Sequence, residues 1–225
     1  QGTDLLKDDQ VIFKAPGNLV AFDEHECRWC IVATSATINI LEIQDDDYDE
    51  FLEEDSECPI IAVSICDTKY AVAYSDMKIV VKNIKDADYS ICFQGSLCLT
   101  MALSDNTLAA GYSDGSIVLA SLEQQDPIFT EQGYSTPPMR LQLIDNQTVY
   151  AEWKEASALI DSTSTKFIRV PNFPSAKKCL YLNGFLVLSN AKGLQFFDYF
   201  SGSLIAVLDL CPETFCSYRK HLFAL

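Results

Sequence analysis

Apolar residues along this chain either alternate with polar ones or run in fours to eights, and Gly, Asn, Asp and Ser punctuate them at short intervals. A helical period of three to four is never sustained, so the pattern predicts short β-strands joined by tight turns. The clearest stretch is Leu97 to Leu122. There Cys98-Leu99-Thr100-Met101-Ala102-Leu103 leads through Ser104-Asp105-Asn106 into Thr107-Leu108-Ala109-Ala110-Gly111, and Tyr112-Ser113-Asp114-Gly115 turns into Ser116-Ile117-Val118-Leu119. Asp-Gly supplies the backbone freedom that such a hairpin turn needs.

The same unit recurs. Ile60-Ile61-Ala62-Val63-Ser64, Tyr70-Ala71-Val72-Ala73-Tyr74 and Ile79-Val80-Val81 repeat it, with the Tyr-Ser-Asp triplet at 74–76 standing 38 positions before that at 112–114. Earlier, Leu19 to Phe22, Cys30 to Thr34 and Ile38 to Ile43 form a first copy. Later, 139–161 and 179–199 form a fourth and a fifth, so the repeat cores span 19–43, 60–84, 97–122, 139–161 and 179–199. A fourth strand fits most linkers: Tyr89 to Phe93, Ile128 to Thr130, Phe167 to Val170 and Leu204 to Leu208. Four short strands at a period near 40 residues describe the blade of a β-propeller, which buries both faces against its neighbours. The predicted fold is therefore all-β, with about five recognisable four-stranded blades over residues 1–225. Val11-Ile12-Phe13 before the first copy and Ser217 to Leu225 after the fifth overrun a five-blade closure, which favours an incomplete ring over a closed one.

Two stretches carry a family resemblance. Ala110-Gly111-Tyr112-Ser113-Asp114-Gly115-Ser116-Ile117 resembles the small-Gly-x-x-Asp-Gly-x-Ile stretch of WD40 repeats. Phe197-Asp198-Tyr199-Phe200-Ser201-Gly202-Ser203-Leu204 resembles their Trp-Asp dipeptide and Ser-Gly turn, with Phe197 in the Trp position. No true Trp-Asp dipeptide occurs, and neither His stands where the family has Gly-His, so the family's Asp-His-Ser-Trp network is not expected. The resemblance implies a propeller that acts as an interaction module.

Charge narrows the partners. The 225 residues hold 16 Lys plus Arg against 32 Asp plus Glu, a net charge of −16, which disfavours a non-specific grip on nucleic-acid backbone or anionic lipid. Residues 1–150 hold 8 basic and 26 acidic side chains, net −18, and residues 151–225 hold 8 and 6, net +2. Nine of the acids lie in 13 residues: Asp45, Asp46, Asp47, Asp49, Glu50, Glu53, Glu54, Asp55 and Glu57, interleaved with Tyr48, Phe51 and Leu52. The bland reading is a solvated loop inserted at 45–57 in place of a fourth strand. The apolar residues within it point instead to a docking site for a basic partner segment. Lys166, Arg169, Lys177 and Lys178 read as ordinary surface.

Candidate chemistry is sparse. Gly111-Tyr112-Ser113-Asp114-Gly115 fits a hydrolase nucleophile elbow, with Asp161 and His221 following in order, but an elbow requires a helix after the Ser and this sequence continues as a strand. His25-x-Cys27-x-x-Cys30 offers three soft ligands without a fourth, and reads as core and turn rather than zinc. Nine cysteines, an odd number mostly inside apolar runs, fit buried thiols in a reducing compartment, cytoplasmic or nuclear. No catalytic residue, metal or cofactor is expected. The expected role is a non-catalytic scaffold subunit of an intracellular complex. The alternatives are an accessory WD-repeat subunit of an RNA-modifying or chromatin complex and, from another class, a serine hydrolase using Ser113. A missing stretch of sequence or another chain is expected to complete the propeller.

Overall fold

The structure is a computed structural model. It describes residues 4–7, 10–14, 17–25, 28–44, 47–86, 90–125, 127–132, 134–154, 157–161, 166–170, 178–182, 185–190, 193–198, 201, 203–209, 215–218 and 221–224. Their elements are all β-strands. The chain divides into two compact units, residues 1–141 and 142–225.

The first unit opens with β1 (Asp4–Lys7) and β2 (Gln10–Lys14), paired as a two-stranded sheet. The segment Val11-Ile12-Phe13 is thus half of a hairpin rather than a lone strand. Three four-stranded antiparallel sheets follow, each in simple chain order: β3 (Ala21–His25), β4 (Trp29–Ala33), β5 (Thr37–Gln44) and β6 (Asp47–Asp55); then β7 (Ile60–Ile65), β8 (Lys69–Tyr74), β9 (Lys78–Asn83) and β10 (Ser90–Gln94); then β11 (Cys98–Leu103), β12 (Thr107–Tyr112), β13 (Ser116–Ser121) and β14 (Pro127–Gln132). First strands lie side by side, β7 beside β3 and β11 beside β7.

A fourth sheet comprises β15 (Arg140–Leu143), β16 (Thr148–Glu152), β17 (Ser157–Asp161) and β18 (Lys166–Val170). The second unit continues with a fifth: β19 (Lys178–Leu182), β20 (Phe185–Asn190), β21 (Gly193–Asp198) and β22 (Leu204–Leu208). β23 (Phe215–Tyr218) and β24 (His221–Ala224) end it as a two-stranded sheet, where the sequence pattern predicts one strand.

Central strands are continuous apolar runs because both their faces are covered. Every residue of β4 is buried, as is every residue of β12 and β16. Facing sheets share clusters: Trp29, Ile31, Ile38 and Ile40 of the first sheet pack with Val63, Tyr70 and Val72 of the second. Ala71, Ala73, Ile79 and Val81 of the second pack with Met101, Leu108, Ala110 and Tyr112 of the third. Tyr150 and Leu159 meet Leu186, Leu188 and Phe197 in the second unit. Each large apolar side chain so buried contributes about 1.5–3 kcal/mol.

The repeated turns rest on a carboxylate and a left-handed residue. Between β12 and β13, Asp114 Oδ1 accepts the Ser116 N–H at 3.0 Å and the Ser116 hydroxyl at 2.6 Å. Gly115 has φ 86°, and a Cβ there would lie 1.7 Å from the Tyr134 carbonyl oxygen, so glycine is required. In the second sheet Asp76 Oδ1 accepts the Lys78 N–H at 3.3 Å, and the left-handed position is taken by Met77 at φ 68°.

Candidate interaction surface

The acidic stretch is a strand. β6 pairs with β5 from Gln44↔Asp47 to Thr37↔Asp55 and closes the first sheet as its fourth strand, which corrects the expectation of an inserted loop at 45–57. The physical reason is that Leu52 and Glu54, opposite Ile40 and Ile38, alternate with the exposed Glu53 and Asp55, which gives this end of the strand one face to bury despite its charge. A strand at the sheet edge also tolerates charge, which discourages unwanted pairing there.

Its residues divide between internal and external duties. Leu52, opposite Ile40, packs on the cluster shared with the second sheet. Glu54 accepts the Tyr70 hydroxyl at 3.0 Å and forms an ion pair with Lys82. Burial, then the neighbouring Glu54, pushes the Tyr70 hydroxyl far above its ordinary range and Tyr74 up to about 12. Leu52 and Glu54 therefore belong to the fold, which removes them from the predicted docking set. Glu50 accepts the Asn39 side-chain amide at 3.3 Å but is itself exposed.

The register shifts between Ile40↔Leu52 and Leu41↔Glu50, so Phe51 is the extra residue of a β-bulge. Its ring meets that of Trp29 edge-on, centroids 5.4 Å apart at 81°, and 43% of the residue stays exposed. Asp49, Glu53, Asp55 and Glu57 are exposed around it. Asp45 and Asp46 lie outside the described residues, and of Asp47 and Tyr48 only the backbone pairing is described.

Other predicted sites separate cleanly. Ser113 stands between β12 and β13, strand–turn–strand, without the helix that a nucleophile elbow requires. Cys27 lies outside the described residues. Cys30 is buried in β4, and burial, with Glu24 and Asp23 nearby, pushes its thiol up to about 12. Burial pushes Cys98 up to about 12 and Cys66 up to about 11, so these thiols act as small apolar side chains. Lys177 is outside the described residues. Lys166 and Arg169 stand on β18 and Lys178 begins β19. Among the described residues no helix is long and apolar enough to cross a membrane.

The alternation of hydroxyl and carboxylate at sheet ends was harder to read from sequence. Asp23 accepts the Ser64 hydroxyl at 2.7 Å and the Ile65 N–H at 2.9 Å, tying β3 to β7, and Asp105 accepts from Thr68 and Cys66, tying the turn after β11 to the turn after β7. The partners are 37 to 42 residues apart, so only the repeat period hints at them.

No family model matches this sequence, and no curated protein matches it. Solved structures do. A chain of the crystal structure of the mitotic checkpoint complex superposes with a TM-score of 0.66 at 14% identity, covering 85% of this chain and 65% of that one. The β-propeller domain of Myceliophteria thermophila Cps50 (Swd1) gives 0.60 at 12%, covering 89% and 76%. The fold is a β-propeller. The computationally designed Ika8 protein also matches, at 0.64 and 15%, covering 91% of this chain and 66% of that one. The propeller described here thus spans about two thirds of the length of two of these chains. At such identities the likeness is one of fold. Within that fold Phe197 is buried beside Leu186 and Leu188. Asp198 Oδ1 accepts the Ser201 N–H at 2.7 Å, as the turn after a Trp-Asp dipeptide predicts.

Proposed function

We propose that this propeller is a non-catalytic protein-interaction scaffold of an intracellular assembly, and that the fourth strand of its first blade docks a basic segment of a partner. The observation that carries the reading is the exposure of Phe51 on a bulge between Asp49, Glu53 and Asp55. Exposed ion pairs contribute about 0–1 kcal/mol each and are screened by salt, so the carboxylates speed encounter and the ring holds the complex. Propeller neighbours taken from complexes support the scaffold role. Because Leu52 and Glu54 hold the first blade to the second, the test neutralises only Asp49, Glu53, Asp55 and Glu57, to Asn or Gln. Co-purifying proteins should then associate more slowly, with a flatter salt dependence, and Phe51→Ala should mainly speed dissociation. Recovery of the same partners at the same rates by the neutralised chain would place binding on another surface.

A second reading concerns completeness. Leu204, Ile205, Val207 and Leu208 of β22 are 45–58% exposed, whereas Val187 and Ser189 at the centre of the same sheet are buried. β23 stands beside β19 as β7 stands beside β3. This pattern supports a further blade of which β23 and β24 are the first half, its remaining strands supplied by more sequence or by another chain and covering β22. Slow amide exchange along Leu204–Leu208 in a compact monomer would contradict it. Self-association of the isolated chain, seen by light scattering, is the expected result.

A further inference from the structure

The second and third blades repeat one another closely, and their differences locate a site. β8 and β12 each have six residues, as do β9 and β13, so Lys82 of β9 and Ala120 of β13 are both fifth in their strands. Across the preceding seam, Glu54 stands opposite Ile38 and Phe93 opposite Ile79 in the corresponding pairings. Where the first blade meets the second, Lys82 stands at this place and its ammonium meets Glu54. Where the second blade meets the third, Ala120 and Phe93 leave a cleft of about 380 Å³, lined also by Gly95, Tyr112, Ser116 and Val118. That volume lies at the low end of ligand pockets, about 300–1,000 Å³, and admits one long side chain with its flanking backbone.

We propose that this cleft receives a Lys or Arg side chain presented by a partner segment, which takes the place that Lys82 occupies in the preceding seam. Val118, Ala120 and the Phe93 ring suit the aliphatic stem, and an aromatic ring lining the cleft also favours a cation over a neutral occupant. Polar groups line the cleft as well. Ser96 and Ser116, both lining the cleft, donate to Asp114, at 3.3 Å and 2.6 Å, and those hydrogen bonds hold the Asp114 carboxyl below its ordinary range. The net charge of −18 over residues 1–150 draws cationic segments toward this half of the chain. The inference rests on the reading of the propeller as a module for basic partners, but it uses a different blade from the acidic strand.

The probe is a fluorescein-labelled peptide of alternating Lys and Ser, compared with versions carrying norleucine or Glu in place of Lys, read by anisotropy on the intact chain. The Lys peptide should bind more tightly than either. Phe93→Glu with Ala120→Lys rebuilds the Glu54–Lys82 pair inside the cleft and should cut affinity about tenfold or more while circular dichroism shows the chain still folded. Ala120→Trp blocks the cleft independently. In the unaltered chain the peptide should slow maleimide labelling of Cys92, which is exposed and lines the cleft, with Cys92→Ser giving the background. Equal binding of the norleucine peptide would overturn the cationic occupant. A Lys peptide that binds folded Ala120 variants undiminished and leaves Cys92 labelling unchanged would overturn the cleft. If that binding instead disappears on neutralising Asp49, Glu53, Asp55 and Glu57, the acidic strand stands and the cleft falls. No binding of the Lys peptide at all would overturn the cleft as well.

Discussion

The seam between the first and second blades and the seam between the second and third are built from the same repeat, yet they are closed by different chemistry. The first is filled beside its fourth strand, by Leu52 against the apolar cluster and by Glu54 with Tyr70 and Lys82, and its cleft, about 390 Å³, lies elsewhere, between Arg28 and Thr68, Asn83 and Lys85. The second has Leu108 in the place of Tyr70 and Ala120 in the place of Lys82, and retains a cleft. At the first-strand end the contrast is one of charge. Burial raises the Asp23 carboxyl of the first seam above its ordinary 3.8, while hydrogen bonding, led by Thr68, lowers that of Asp105 in the second. A propeller thus keeps its backbone periodicity while single positions decide what fills a given place in a seam and where a cleft is left, because apolar clusters on the central strands already hold the sheets together.

The largest test of this contrast is Trp29→Ala, which should destabilise by about 3–5 kcal/mol, since the ring is fully buried in the first seam and supports Phe51. Phe93→Ala borders an existing cleft and should cost about 2 kcal/mol or less, both read from urea midpoints. A larger loss at Phe93 would show that the second seam is the more tightly closed. Next, Glu54→Leu leaves the Tyr70 hydroxyl and the Lys82 ammonium without their acceptor and should cost about 1–3 kcal/mol. Glu54→Gln, which keeps an acceptor, should cost less, and adding Lys82→Leu to Glu54→Leu should recover part of the loss.

Met77→Gly relieves a left-handed non-glycine residue and should raise stability by about 1 kcal/mol or less, giving the second blade the turn that Gly115 gives the third.

The smallest effect is in pH. Asp23, with a raised folded-state pKa, binds its proton more readily in the fold, so its contribution grows as pH falls from the raised value toward 3.8 and fades as pH rises through that window. Asp105, with a lowered one, contributes above 3.8 and loses that contribution as pH falls below it through the folded-state value. Melting temperatures relative to Asp23→Asn and Asp105→Asn, measured from pH 7 to 3, should therefore trend in opposite directions. Parallel trends would remove the contrast between the seams at that end.

What the amino-acid order alone determined was the local: five repeats, the strands of each, and the turns. The fourth strands expected at Tyr89 to Phe93 and Leu204 to Leu208 appear as Ser90–Gln94 and Leu204–Leu208. Alternation and turn chemistry are properties of neighbouring residues, so they are legible without tertiary contacts. The stretch 45–57 failed that reading because nine acids masked an alternation whose value depends on what lies opposite. Leu52 and Glu54 become buried or paired only once Ile40, Tyr70 and Lys82 face them. Tertiary structure likewise decided that Phe51 is bulged and half free, and that Ala120 borders a cleft where Lys82 fills one. Which side chains remain available to a partner is a remainder, left over after sheets stack. Stacking joins residues some 40 positions apart, which no local pattern encodes.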